Sequence, residues 1–134
     1  MKPCILYFSR TGNTKRMAEA IAEAIKAPVF AITSSPPSVV ENFDMLILGT
    51  PVEGFRPAKE AANFVKHLPK AEDKKAILFC TYKLWKGNVF KILENELSRK
   101  GYHVILSVSK KGIKLEQPAT FSDCINKIQE ALKK

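Results

Sequence analysis

Six consecutive residues combine hydrogen-bonding side chains with a glycine: Ser9, Arg10, Thr11, Gly12, Asn13 and Thr14. They follow an apolar run and precede an amphipathic helical pattern, so a tight turn here brings backbone N–H groups and a helix N-terminus to one point. Unpaired N–H donors and the helix dipole both favour an anion at such a point. The segment has neither the GxxxxGK sequence of a Walker loop nor a GxGxxG turn. We therefore predict a phosphate-binding loop, with Arg10 and Lys15 adding charge, rather than only a helix cap.

The other residues that could take part in catalysis or metal binding are isolated from one another in the sequence. His67 and His103 have no Asp or Glu at metal-ligand spacing, so we predict no metal site. The three cysteines, Cys4, Cys80 and Cys124, form no CxxC pair and are odd in number, which excludes a disulfide framework and a four-cysteine zinc site. Free cysteines of this kind usually act as small buried apolar side chains. Because the sequence suggests no serine, histidine and acid set either, we predict no catalytic side chain.

Four nearly continuous apolar runs and one weaker run predict the strands: Cys4–Phe8, Val29–Ile32, Met45–Leu48, Ala76–Cys80, and Val104–Leu106 with Val108. Continuous rather than alternating hydrophobicity is typical of parallel strands that are covered on both faces. Between and after the strands, apolar residues recur at helical spacing in four segments, which begin at Met17, Ala61, Phe90 and Phe121. The segment Pro37–Phe43 has room for only a turn or two of helix.

This alternation predicts an α/β fold with an open, doubly wound, five-stranded parallel sheet and helices on both faces. There is no internal repeat and no linker long enough to divide the chain, so we expect a single domain over residues 1–134. In such sheets ligands bind beyond the carboxyl ends of the strands, where the strand order changes direction. The loops after the first, third and fourth predicted strands are therefore the candidate ligand-binding segments.

The sequence resembles the flavodoxin family over essentially its whole length. The run Ser9-x-Thr11-Gly12-Asn13-Thr14 is similar to that family's FMN phosphate loop, and Phe43–Pro51 is similar to its third strand and flavin loop. Leu78–Tyr82 with Gly87 resembles the fourth strand and the second flavin loop. The resemblance implies the strand order 2-1-3-4-5 and FMN as the cofactor. It implies that the phosphate lies on residues 9–14 and that the ring lies between Thr50–Phe55 and Thr81–Gly87.

Within these two segments the ring-binding residues that we expect are Thr50, Pro51, Val52, Glu53, Gly54 and Phe55, and Thr81, Tyr82, Lys83, Trp85 and Gly87. Pro51 ends a strand, and Gly54 permits the backbone conformations that a close approach to a ring requires. Tyr82 and Trp85 directly follow a strand and could stack on a flavin. The alternative is that these aromatic side chains, like Phe55, only cover the rim of the sheet.

The sequence departs from the family pattern in both segments. Relatives usually have tryptophan where Glu53 stands and glycine where Phe55 stands, so Phe55, Tyr82 or Trp85 would have to shield the ring. We expect Glu53 to be a solvated carboxylate rather than a group that acts on the flavin. The second segment has Lys83 and Lys86 in place of an acidic, glycine-rich run. Nearby cations stabilise an anionic reduced flavin, so we predict a reduction potential less negative than in acidic flavodoxins.

The chain carries 22 Lys and Arg against 13 Asp and Glu, a formal net charge of +9. This balance favours anionic partners, but the cations are scattered in twos and threes, which argues against nucleic acid and a lipid surface. The N-terminal apolar run is short and has no cleavage signal, so we expect neither a signal peptide nor a membrane span, and a cytoplasmic location. We predict redox partner proteins with acidic surfaces, and the oligomeric state stays open.

Three functions are compatible with these observations. The first is an FMN-binding electron carrier between redox partners, in which the cofactor supplies the chemistry. The second is an FMN-dependent NAD(P)H oxidoreductase resembling quinone reductases, which would need an open pocket over the flavin. The third is a flavodoxin-fold binding module without flavin, which would use its basic surface. Direct oxidation of NADPH would distinguish the second function, and salt-sensitive nucleic-acid binding by the flavin-free protein would distinguish the third.

Overall fold

A computed structural model describes residues 2–133 of the chain. Its central sheet contains five parallel strands, β1 (Pro3–Tyr7), β2 (Val29–Ala31), β3 (Met45–Glu53), β5 (Lys74–Tyr82) and β6 (Tyr102–Lys111). They are arranged in the order β2-β1-β3-β5-β6. The predicted doubly wound α/β sheet is therefore confirmed, and so is its order, because β5 and β6 are the fourth and fifth strands of the prediction.

A sixth strand, β4 (Arg56–Pro57), was not predicted. It pairs antiparallel with the end of β3, with Glu53 opposite Arg56 and Val52 opposite Pro57. β3 accordingly runs five residues beyond the predicted Leu48, and β5 and β6 are also longer than their apolar runs. The extra residues at the carboxyl ends are half-buried or polar, so hydrophobicity alone does not mark them as strand.

Four helices cover the sheet: α1 (Asn13–Ile25), α2 (Lys59–Lys66), α3 (Val89–Arg99) and α4 (Ser122–Leu132). Short segments of 3-10 helix lie at residues 32–34, 37–42 and 118–121. The buried residues of α2 and α3 pack in one core cluster, and those of α1 and α4 pack in a second. Because alternate residues of each strand point to opposite faces, the two clusters lie on the two sides of the sheet, as predicted.

Alternation along β5 shows how the strands join the two core clusters. Leu78 and Cys80 belong to the cluster with α2 and α3, whereas Ile77 and Phe79 belong to the cluster with α1 and α4. Phe79 pairs with Gly49 of β3, and a Cβ atom at Gly49 would lie 2.0 Å from the Phe79 ring. Glycine at position 49 is therefore a packing requirement, because the ring occupies the space of its missing side chain.

All three cysteines are buried and free. Cys4 lies at the amino end of β1 and Cys80 near the carboxyl end of β5, so the two thiols are at opposite ends of the sheet. Burial raises the pKa of Cys80 to about 12 and that of Cys4 to about 11, because a desolvated thiolate is unfavourable. Within residues 2–133, no helix is both long and apolar enough to cross a membrane.

Candidate functional site

The carboxyl ends of β1, β3, β5 and β6 meet at one edge of the sheet, and the loops that follow them enclose a cleft of about 380 Å³. This volume lies within the range of ligand-binding clefts. The predicted site residues that line the cleft are Arg10, Thr11, Asn13, Pro51, Val52, Glu53, Gly54, Phe55, Thr81, Tyr82, Lys83 and Trp85. Three separate predicted segments therefore converge on one space. The structure does not place the remaining predicted residues in this lining: Ser9, Gly12, Thr14, Thr50 and Gly87.

The loop between β1 and α1 presents a helix N-terminus that is suited to an anion. Gly12 adopts a left-handed conformation with φ of 99°, and its N–H donates to the Ser9 hydroxyl oxygen at 3.1 Å. Among the described side chains none caps α1, and the first turn of this helix contains no acidic residue. The N–H groups of that turn therefore keep the donor capacity and the positive dipole end that a phosphate requires.

Asn13 and Thr14 use their side chains to join loops. The Asn13 amide donates to the carbonyl oxygen of Ile113 at 3.0 Å and accepts from the backbone N–H of Leu115 at 3.0 Å. The Thr14 and Thr81 hydroxyls are hydrogen-bonded at 2.7 Å, and both residues are buried. These bonds hold the turn after β1 against the ends of β5 and β6. The backbone N–H groups of residues 13 and 14, rather than their side chains, are the groups that could contact a ligand.

Arg10 crosses from the β1–α1 loop to two other elements. Its Nε and Nη2 donate to the two carboxylate oxygens of Glu53 at 2.7 and 2.9 Å, and Nη2 also donates to Glu60 at 3.0 Å. The guanidinium carbon lies 4.8 Å from the centre of the Phe8 ring. The backbone N–H of Glu60, and next the Arg10 side chain, hold the pKa of Glu60 below its usual value. Glu53 stays partly exposed, as expected of a solvated carboxylate, and it is also paired with Arg10.

A two-residue turn connects β3 to β4, and both of its residues have positive φ. Gly54 has φ of 60° and Phe55 has φ of 64°. This is the geometry of a type I′ hairpin turn, for which glycine is the usual second residue. Phe55 instead occupies this position in a left-handed conformation, which costs an ordinary residue roughly 1–2 kcal/mol.

Phe55 and Trp85 form an aromatic pair beside the cleft. Their ring centres are 5.1 Å apart and the rings are tilted by 58°. The backbone carbonyl of Phe55 accepts from the N–H of Asn88 at 3.1 Å. A Cβ atom at Gly87 would lie 2.4 Å from that carbonyl oxygen, so glycine at position 87 allows the two ring-side loops to touch. Both rings stay more than half exposed, at 51% and 64%, which leaves apolar surface available for a ligand or a partner.

The remaining polar groups of these loops have distinct positions. The buried Thr50 hydroxyl accepts from the N–H of Ala58 at 3.1 Å and donates to the Pro51 carbonyl at 2.9 Å, which fixes the bend after β3. Lys83 lines the cleft. Lys86 instead extends toward β6, where its ammonium lies 3.5 Å from the Ser109 hydroxyl and 5.9 Å from the centre of the Phe90 ring. The two lysines that we grouped together are therefore not equivalent.

Sequence reasoning missed two residues that line the cleft, Leu84 and Gly112. Leu84 lies between two predicted residues and carries no polar group that would single it out. Gly112 follows the last strand, whose carboxyl end reaches the same edge of the sheet as the others. The same topological rule therefore places the loop after the fifth strand beside the loops after the first, third and fourth strands.

The sequence model described as a flavodoxin domain matches residues 4–97. This chain belongs to the flavodoxin family. A flavodoxin from Clostridium beijerinckii is 31% identical over 129 residues, which span 90% of this chain and 92% of its own length. An uncharacterized protein of Methanocaldococcus jannaschii is 30% identical over 115 residues, 84% of this chain and 76% of that protein.

Solved structures agree on the fold of this flavodoxin-family protein. Oxidised flavodoxin 1 from Bacillus cereus matches it with a TM-score of 0.82 at 24% identity, over 99% of this chain and 98% of that chain. Proteins of this family bind flavin, typically FMN. The site fits such a group, because an uncapped helix N-terminus and an aromatic pair border the same cleft. Residues 9–14 would hold the phosphate, and the segments 50–55 and 81–87 would hold the ring.

Neither histidine is among the residues that line this cleft. Among residues 2–133, no three His, Cys, Asp or Glu side chains are placed to hold a metal ion. His67 is exposed on α2's C-terminal end, where Nδ1 lies 2.8 Å from the Asn63 carbonyl oxygen, and His103 is exposed on β6. The cleft itself has groups that could bind, orient and shield a flavin.

Proposed function

We propose that this protein binds FMN in the cleft and carries electrons between redox partner proteins. One observation carries the proposal: the uncapped N-terminus of α1 and the Phe55–Trp85 pair border a single cleft. The first supplies N–H donors for a phosphate and the second supplies apolar surface for a ring system. When bound, the flavin supplies the redox chemistry, and the chain supplies binding, orientation and electrostatics.

Different groups of the chain would contact different parts of FMN. The N–H groups at the start of α1 would bind the phosphate, and the Thr14–Thr81 hydrogen bond would keep that turn registered with the ring-side loop. Phe55 and Trp85 would exclude water from one side of the ring. Lys83 would favour a negative charge in the cleft. With a net charge of +9, the protein would associate fastest with partners that present acidic surfaces.

Flavin binding is tested by the visible absorption spectrum of the purified protein before and after addition of FMN, followed by dialysis. We expect retained flavin bands and quenched flavin fluorescence. Trp85→Ala should weaken FMN binding about tenfold, because the flavin ring loses its contact with the Trp85 side chain. Phe43→Leu is the matched control, since Phe43 pairs with Phe30 outside the cleft. A wild-type protein that retains no FMN in phosphate-free buffer would overturn the proposal and favour a binding module without flavin.

The carrier role is tested separately from flavin binding. The FMN-loaded protein should not oxidise NADPH on its own and should be reduced only through a separate reductase. The Phe55 and Trp85 rings border the cleft, and we expect them to cover one side of the flavin and hinder a nicotinamide there, which favours the carrier over a direct NAD(P)H oxidoreductase. Steady oxidation of NADPH by the pure FMN-loaded protein would contradict the carrier role while leaving flavin binding intact.

A further inference from the structure

Two arginines of the β1–α1 region lie in different surroundings. The Arg10 guanidinium is hydrogen-bonded to both oxygens of Glu53 and to one of Glu60, at 2.7 to 3.0 Å. The Arg16 guanidinium lies against Gly12, where a Cβ atom would be 3.3 Å from its Nη1, and the same nitrogen is 3.3 Å from the Asn13 side-chain oxygen. Arg16 thus reaches back over the turn that begins α1, whereas Arg10 reaches away from its own loop.

The charges around Arg10 do not favour a phosphate. One guanidinium and two carboxylates give this cluster a formal charge of −1 at neutral pH. A phosphate monoester carries −1.5 to −2 at that pH, so it would be repelled by the cluster as a whole. The bidentate pair with Glu53 also occupies the Nε–Nη2 edge of the guanidinium, one of the edges with which it could bind a phosphate. Arg10 is therefore poorly suited to the phosphate-binding role that its position in the sequence suggests.

The connections of Arg10 suit a different task. Glu53 is the last residue of β3 and directly precedes the Gly54–Phe55 turn, and Glu60 lies in the first turn of α2. By binding both carboxylates, Arg10 fixes the Gly54–Phe55 turn relative to the β1–α1 loop. Arg16 has no carboxylate partner among the ion pairs of residues 2–133, so its positive charge is not offset locally.

We infer that Arg16 provides the cation that selects a phosphorylated flavin, while Arg10 is a positioning residue that holds the ring-side turn through Glu53. This division of roles rests on the proposed function, since it assigns residues within the same flavin site. It predicts that Arg16 affects only the binding of the phosphate group. It also predicts that Arg10 affects the binding of the flavin ring, whether or not the flavin carries a phosphate.

The test compares FMN with riboflavin, which lacks the phosphate, by fluorescence titration of the flavin-free protein. Arg16→Gln should weaken FMN binding about 5- to 10-fold and leave riboflavin binding within twofold. Arg10→Gln should weaken both ligands by the same factor. Lys26→Gln is the matched control for loss of one positive charge, because Lys26 is exposed at the opposite end of α1, and it should change the FMN-to-riboflavin ratio by less than twofold.

A double-mutant cycle tests the mechanism of Arg10. If Arg10 acts through Glu53, then Glu53→Gln gives the same loss for both flavins, and the double variant loses no more than either single variant. If Arg10 instead binds the phosphate, Arg10→Gln weakens FMN alone and Glu53→Gln does not weaken it, which would overturn the inference. Equal loss of both ligands in Arg16→Gln would also overturn it.

A second measurement keeps the inference testable when riboflavin binds too weakly to titrate. Inorganic phosphate should raise the melting temperature of the flavin-free protein, because it binds only the folded state. Arg16→Gln should reduce that rise and Arg10→Gln should preserve it, and the reverse pattern would refute the assignment. A wild-type protein that binds neither flavin refutes the proposed function instead, so the two failures are distinguishable.

Discussion

Phe55 holds a backbone conformation that glycine adopts far more readily, with φ of 64° in the second position of the turn. Strain of this kind persists where surrounding contacts require it, and it is common at ligand sites. Here the ring contacts Trp85 and the carbonyl accepts a hydrogen bond from Asn88. Phe55 therefore adds an aromatic surface beside the cleft, and its strained backbone conformation lowers the stability of the fold.

Comparing Phe55→Gly with Phe55→Ala separates these two contributions. Both variants lose the ring, but only glycine relieves the left-handed strain, so Phe55→Gly should be more stable than Phe55→Ala by about 1 kcal/mol. Urea denaturation of the flavin-free proteins measures this difference. Both variants should bind FMN several-fold more weakly than the wild type. Equal stabilities of the two variants would show that the backbone at position 55 is not strained.

At the scale of elements, the loop after β5 gives its two lysines different tasks. Lys83 lines the cleft, whereas Lys86 lies near Ser109 of β6 and over the Phe90 ring of α3. The loop after β5 thus places the Lys83 side chain in the cleft and the Lys86 side chain against the neighbouring strand β6. We therefore expect the effect of lysine charge on the flavin reduction potential to come mainly from Lys83.

We expect Lys83→Gln to make the potential for full reduction of the bound flavin more negative. A unit charge about 6 Å away is worth roughly 0.7 kcal/mol in fully water-like surroundings, on the order of 30 mV for a one-electron step. Lys86→Gln is the matched control and should shift the potential by less than half as much. Spectroelectrochemical titration at low ionic strength measures both shifts, and equal shifts would contradict the different placement of the two lysines.

The sequence was most informative about elements and least informative about contacts between loops. Continuous apolar runs predicted the five parallel strands, because a strand that is covered on both faces is apolar at successive positions. Apolar residues at helical spacing, in the segments that begin at Met17, Ala61, Phe90 and Phe121, predicted the four helices, because each helix buries one face against the sheet. The type I′ turn was not predictable, since its second residue is not glycine. The bonds from Asn13 to Ile113 and Leu115 connect residues about a hundred positions apart, and no local pattern encodes such a pair.

At the scale of the whole molecule, ionisable groups in the core limit stability at high pH. The folded protein holds the pKa of Cys4 at about 11, of Cys80 at about 12 and of Tyr102 at about 12, in each case chiefly through burial. In the unfolded chain the two thiols ionise near pH 9.0. Between these values the unfolded state has released protons that the folded state still binds, so stability falls as pH rises.

We expect the free energy of unfolding to be insensitive to these thiols below about pH 8 and to decline above pH 9. Each thiol can remove up to about 1.4 kcal/mol per pH unit until its folded-state pKa is reached. Urea denaturation at pH 7.5 and pH 10.5 measures the decline, and the Cys4→Ala/Cys80→Ala variant should show a smaller one. An identical decline in the variant and the wild type would contradict this origin.

The hydrogen bonds from Asn13 to Ile113 and Leu115 also bear on how the protein is made. A ribosome releases residue 13 long before residues 113 and 115, so the turn after β1 lacks its side-chain anchors until the segment that follows β6 has emerged. Because a domain generally folds as a unit, we expect the candidate anion site to form only once that segment is available. FMN binding by a nascent chain, under the function proposed above, would therefore wait until all four loops that enclose the cleft exist together.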